Sequence, residues 1–138
     1  MSIATTTHLN FRGQARAALA FYQSVFGGET ALITHSQAYP SFAPEEAEHV
    51  AWGHVESAEG FRIMAFDVPA GRPYDTGESA FFVSIRGTDA DELTALWNRL
   101  AEGATLIQPL APSGWSPLYG MLKDRFGITW VLDIAVSY

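Results

Sequence analysis

The 138-residue chain is expected to fold as an α+β domain of two tandem βαβββ modules, about residues 7–68 and 79–138, joined by a linker at 69–78. Three observations carry that expectation. The hydrophobic period changes from two to 3.6 residues near the start of the chain. The same change recurs about 74 residues later, and turn-forming glycines fall at matching places in both halves. A composition of 48% hydrophobic, 13% aromatic and 17% charged residues suits one globular domain rather than a disordered chain.

His8 to Arg12 alternates, with Leu9 and Phe11 on one side and His8, Asn10 and Arg12 on the other, as in a half-buried strand. From Ala15 to Phe26 the apolar residues Ala18, Phe21, Tyr22 and Val25 fall on one helical stripe, and Gly27-Gly28 supplies the stop. Thr30 to Thr34 reads as a second strand. His35 to His49, with Pro40, Pro44 and three Glu, reads as an excursion loop whose two histidines are expected in solvent. Ala51 to Ser57 and Phe61 to Val68 then form a hairpin around Glu59-Gly60.

The second half repeats this order. HLNFRG lies over FVSIRG at an offset of 74 residues, 82 against 8, which pairs Leu9 with Val83, Phe11 with Ile85, Arg12 with Arg86 and Gly13 with Gly87. The helical stripe recurs as Leu93, Leu96, Trp97 and Leu100 at an offset of 75, and Gly28 meets Gly103. Thr88 or Asp89 is placed to cap the second helix, with Asp91 and Glu92 in its first turn. Leu9, Phe11, Val83 and Ile85 are expected beneath their helices.

Fifteen acidic against eight basic side chains give a net charge of −7, which opposes binding to a phosphate backbone, so no nucleic-acid partner is expected. Without cysteine there is no disulfide, thiolate metal site or Cys nucleophile, a usage compatible with a reducing compartment. No apolar run is long enough to span a bilayer, and the first residues lack a basic segment followed by an apolar one; the expectation is a cytoplasmic protein without a membrane partner. G-x-S-x-G, H-E-x-x-H and a glycine-rich phosphate cradle are all missing from the sequence.

Two βαβββ modules carrying LNFRGQARAALAFYQSVFGGE (Leu9 to Glu29), IMAFDVPAG (Ile63 to Gly71) and YGMLKDRFGITWVLDI (Tyr119 to Ile134) resemble the vicinal oxygen chelate superfamily of glyoxalases, bleomycin resistance proteins and dioxygenases. Within it they are most similar to the PhnB-like branch. The resemblance implies cupped half-sheets that enclose a pocket, and a homodimer. It also implies a divalent metal held by one side chain from the first and one from the last strand of each module. Those positions fall on His8, Phe82, Met64 and Val131. Phe and Val have no lone pair to donate and Met is a poor ligand for hard or borderline ions, so neither a metal nor a cofactor is expected. Relatives labelled as ubiquinone-precursor methyltransferases give no support for that activity here, because the nucleotide-binding glycine fingerprint is missing.

His8 is either a remnant ligand, with His54 its nearest partner by chemistry, or a pocket-lining histidine bonded to a neighbour; the second reading is favoured. Trp52, His54 and Glu56 share a strand face, as an aromatic platform beside a titratable ring or as an interface. Trp115 and Tyr119 lie in or beside a Pro- and Gly-punctuated loop that could cover a pocket. Arg12 and Arg86 are either paired oxyanion clamps or strand ends each matched to an acidic side chain, the latter favoured. Asp124 and Arg125 read as turn residues before Gly127.

The expected ligand-binding residues are thus His8, Asn10, Trp52, His54, Met64, Trp115 and Tyr119, around a cavity completed or bordered by a homodimer interface. The expected function is metal-independent binding or sequestration of a small apolar or aromatic molecule. The alternatives are a glyoxalase-type lyase or isomerase, with a degenerate or displaced metal site or with metal-free acid–base catalysis by His8 or His54, and a purely structural or regulatory dimerisation module.

Overall fold

The computed structural model describes residues 2–39 and 43–136. The chain divides into two compact units, Met1–Thr76 and Gly77–Tyr138. The first contains β1 (Thr7–Phe11), α1 (Ala15–Phe26), β2 (Glu29–Thr34), a one-turn helix α2 (His35–Ala38), a 3-10 turn (Pro44–Glu46), β3 (Val50–Glu56) and β4 (Arg62–Asp67). The second contains β5 (Val83–Gly87), α3 (Ala90–Leu100), β6 (Thr105–Ala111), β7 (Tyr119–Lys123) and β8 (Thr129–Ile134). Each unit is a four-stranded mixed sheet, in the order β1-β4-β3-β2 or β5-β8-β7-β6. In each, the first strand runs parallel to the last and the remaining neighbours are antiparallel. Among the described residues no helix is long and apolar enough to cross a membrane.

One face of each sheet is buried beneath a helix. In the first unit Leu9, Phe11, Val55, Ile63 and Ala65 lie on the same side as the buried residues Ala18, Leu19, Tyr22 and Val25 of α1. Gly53 sits among them because a Cβ there would meet Leu19 Cδ1 at 2.5 Å. In the second unit Val83, Leu122, Trp130 and Leu132 are buried with Leu93, Trp97 and Leu100 of α3, and a Cβ on Gly120 would meet the Trp97 ring at 2.8 Å. Strand alternation therefore leaves one open face per sheet, and those faces carry the candidate functional side chains.

The ladders correct the repeat register. The hairpins β3–β4 and β7–β8 match at an offset of 67 residues, Gly53 with Gly120 and Ala65 with Leu132. Leu9 pairs with Ala65 and Ile85 with Leu132, so the first strands correspond at an offset of 76, not 74. His8 therefore corresponds to Ser84 rather than Phe82, and Asn10 to Arg86. The shared Arg-Gly dipeptide is responsible for the misalignment. Gly13 is a turn glycine with φ of 98°, whereas Gly87 is a strand residue paired with Ile134.

The excursion loop also needs correction. It contains α2, where Thr34 and Gln37 form a reciprocal capping box, and the 3-10 turn; Pro40 lies outside the described residues. His35 is not in solvent. It is 3% exposed, and its Nε2 donates to the Asp67 carbonyl at 2.9 Å. His49 is half-buried, with its ring beside Gly13. Asp89 caps α3 as expected, its Oδ1 accepting from the Asp91 and Glu92 amides. Asp124 is a buried turn carboxylate, and Arg125 donates to the Glu102 carbonyl.

Candidate functional site: the open face of the first sheet

β1, β4 and β3 bring three predicted residues into one row. Met64 is directly opposite His8 on one neighbouring strand and His54 on the other, and Ala31 of β2 continues the row beyond His54. Cross-strand partners point to the same face, here the one away from α1. Next to this row stand Trp52, opposite Ile33, and Asn10, opposite Phe66. His8 and Asn10 are exposed, His54, Met64 and Phe66 half-buried, and Trp52 is 38% exposed.

The rings meet in two pairs. His8 meets Phe66 edge to face at 5.1 Å between centroids, and Trp52 lies 4.8 Å from the His54 ring. His8 Nδ1 lies 3.1 Å from Asn10 Oδ1. The carboxamide oxygen accepts, so the contact suits the imidazole tautomer with its proton on Nδ1, in which Nε2 is the ring's acceptor. Beyond the imidazole row Glu56 pairs with Arg62 at 3.0 Å, which commits that carboxylate to a guanidinium.

Trp115 and Tyr119 belong to the second unit, where their rings touch at 4.9 Å between centroids. Trp115 is 53% exposed on the loop before β7, and its amide donates to Ser113 Oγ. On the open face of that unit Tyr119 is opposite Asp133, which is opposite Arg86. Arg86 Nε donates to Asp133 Oδ1 at 3.1 Å. Arg86 is thus a strand residue matched to an acid, as expected. Arg12 is not: its guanidinium donates to the carbonyls of Val68, Pro69 and Arg72 and lies over the Tyr74 ring. Arg12 and Arg86 therefore do not form an equivalent pair.

Two residues escaped the sequence reading. Phe66 completes the aromatic lining; counting two residues on from Met64 along the same strand places it on the same face. Asp67, 1% exposed, accepts from the amides of Gly13, Ala15 and Val50 and so fixes both the start of α1 and the start of β3. The available signal was that Gln14, at the helix start, has no side chain suited to capping α1.

The ladder-corrected metal positions implied by the resemblance are His8, Met64, Ser84 and Val131. One imidazole, one thioether, one hydroxyl and one alkyl group do not fit a hard or borderline divalent ion. Among the described residues no group of three or more His, Asp or Glu side chains could hold a metal.

Paired βαβββ units with one helix-covered and one open sheet face define the glyoxalase type of architecture. The Glyoxalase/Bleomycin resistance protein/Dioxygenase superfamily profile matches residues 6–132, and the chain belongs to that superfamily. It is similar to the crystal structure of protein PA1353 from Pseudomonas aeruginosa, with 28% identity and a TM-score of 0.86 over 96% of this chain and 98% of that one. A Bacillus cereus PhnB protein, named a putative 3-demethylubiquinone-9 3-methyltransferase, shares the fold at 23% identity and a TM-score of 0.77, over 96% of this chain and all of that one. Protein YjdN of Escherichia coli K12 is 22% identical over 138 residues, 92% of each chain.

Proposed function

We propose that the protein binds or sequesters a small apolar or aromatic molecule without a divalent metal. The observation that carries this reading is the open face of the first sheet, where Trp52 and Phe66 offer apolar ring surface beside two imidazoles and the Asn10 carboxamide. Apolar ring area with a few fixed polar groups is what small-molecule sites use for affinity and orientation. The donor set at the family's metal positions supports metal independence, and the cysteine-free chain is in keeping with a cytoplasmic setting.

A homodimer is part of the proposal. β6 is an edge strand with Leu106 and Ile107 each about half exposed, and such an edge gains from pairing with a second copy. Sedimentation at micromolar concentration should give twice the 15.1 kDa chain mass; a monomer removes this part.

The binding test is a fluorescence titration with the neutral probe N-phenyl-1-naphthylamine. Saturable binding is expected, weakened about fivefold or more by Trp52→Ala, a loss of roughly 1 kcal/mol or more. Asn98→Ala, exposed on α3, is the comparison variant. Absence of saturable binding, or indifference to Trp52→Ala, overturns the assignment of this face. Isomerisation of a hemithioacetal substrate that is lost in His8→Gln and His54→Gln would replace it with the lyase or isomerase reading.

A further inference from the structure

The donors at the family's metal positions are wrong for a hard divalent ion, but in the first unit they are not inert. Met64 stands between His8 and His54 on adjacent strands, all three on the open face. With neighbouring strands about 4.8 Å apart, the two histidine Cα atoms straddle the thioether at a span of about 10 Å, which two imidazole side chains can close over. The third donor, His54, comes from β3, outside the first-strand and last-strand positions of the family pattern.

We infer that the His54–Met64–His8 row is a binding site for a soft monovalent cation of the Cu(I) or Ag(I) kind. A thioether is a soft donor that selects Cu(I), and imidazole serves copper well. The Asn10 carboxamide oxygen beside His8 Nδ1 is an outer partner of the kind that orients a ligating imidazole and directs its Nε2 toward a metal. No carboxylate stands in the row, and that of the adjacent Glu56 is committed to Arg62, so the anionic oxygen donors that hold Mg, Ca or Mn are lacking among the described side chains of the row. Phe66 in ring contact with His8, and Trp52 with His54, present π-surface that attracts a monovalent cation. The net charge of −7 raises the local concentration of any cation.

The second unit supplies an internal control. Its corresponding row is Met121, Val131 and Ser84, with one thioether and no imidazole. This inference goes beyond the proposed small-molecule binding and does not depend on it, since an ion can be held whether or not an organic ligand is.

The test is anaerobic competition between tag-free protein and the chromophoric Cu(I) chelator bicinchoninate. The protein is expected to withdraw about one Cu(I) per chain, and Met64→Leu, His8→Gln and His54→Gln are each expected to weaken that binding about tenfold or more. A second measurement needs no variant. With methionine labelled at its methyl carbon, Ag(I) should shift the Met64 resonance and leave Met121 in place, while equimolar Zn(II) leaves both unchanged. Failure to withdraw Cu(I), a shift at Met121 in place of Met64, or equal binding of Zn(II) overturns the inference. The naphthylamine titration is scored separately, so either reading can fail alone.

Discussion

The two open faces have come from the same ladder and now carry opposite chemistries. Position for position, Trp52 corresponds to Tyr119, His54 to Met121, Met64 to Val131, His8 to Ser84 and Asn10 to Arg86. The first face is aromatic and imidazole-rich. On the second, Arg86 and Asp133 neutralise each other at 3.1 Å. The buried faces have diverged far less in character: Val55 with Leu122, Ile63 with Trp130 and Leu9 with Ile85 all remain apolar. Burial against a helix holds these positions to shape and apolarity, with Asp67, the counterpart of Ile134, the exception because three backbone amides satisfy it, whereas an open face is free to change its chemistry. The open faces are therefore where the two units differ most in chemistry.

The units also differ in what anchors their turns. In the first, Asp67 reaches from β4 to cap α1 and to hold Val50, while at the hairpin turn the Ser57 Oγ accepts from the Phe61 amide. In the second, Asp89 caps α3 locally, and the hairpin turn is held by Asp124, which accepts from the Phe126 and Ile128 amides and from Trp130 Nε1. The largest expected effects follow from this exchange. Asp67→Ala and Asp124→Ala each strand three donors and should cost about 3 kcal/mol or more, whereas Ser57→Ala should cost about 1 kcal/mol or less. Urea unfolding followed by circular dichroism measures all three. An Asp67→Ala variant as mild as Ser57→Ala would break the claim that a tertiary carboxylate replaces the missing local cap.

How far these features were legible depended on the range of the interaction behind each one. The periods of α1 and of the strands, and the Asp89 cap, are local and could be read from neighbouring residues. So could the face shared by Trp52 and His54. The row joining His54, Met64 and His8 required strand register, which single segments do not encode. Asp67 looked like an ordinary strand residue because its three donors come from positions 13, 15 and 50. The repeat was legible in kind but two residues out in its first strand, since a turn glycine and a strand glycine have the same letter. His35 was misjudged because its partner is a backbone carbonyl 32 residues away, whereas the acidic sequence around it suggested solvent.

Gly53 and Gly120 sharpen the comparison on the buried side. An added Cβ at Gly53 would press first on Leu19 Cδ1, the far end of a side chain that can turn, although Val50 Cγ1 at 3.2 Å and the Ala65 carbonyl at 3.3 Å limit the room. At Gly120 the obstacles are the Trp97 ring, at 2.8 and 2.9 Å, and the Leu110 Cα at 3.0 Å, neither of which can yield by a rotamer change. Gly120→Ala should therefore cost about 2 kcal/mol and Gly53→Ala about 1 kcal/mol. The difference in urea midpoint between the two variants checks the order. Equal costs would mean that the contacts of α1 and α3 with their sheets are equally adaptable.

The smallest expected effect concerns the two arginines that the sequence set side by side. Arg12 uses Nε for the Val68 carbonyl at 3.3 Å and one Nη for Pro69 and Arg72, with its guanidinium 5.1 Å from the Tyr74 ring centroid. That arrangement needs a planar fork, which holds the segment after β4 to the strand end through three acceptors and a stacked ring. A lysine ammonium is a single point with no plane to stack. Arg86 needs less: its Asp133 partner can be satisfied by an ammonium, and the arginine side chain is 45% exposed. Arg12→Lys should therefore loosen residues 70–74 and cost about 1 kcal/mol, whereas Arg86→Lys should cost only a few tenths, roughly 0.3 kcal/mol. Hydrogen exchange reads the two cases separately, because faster exchange of the amides at 70–72 in Arg12→Lys reports the lost fork even where the midpoint barely moves. Unchanged exchange there would mean that Glu46, which accepts from the Ala70 amide, holds the segment without Arg12.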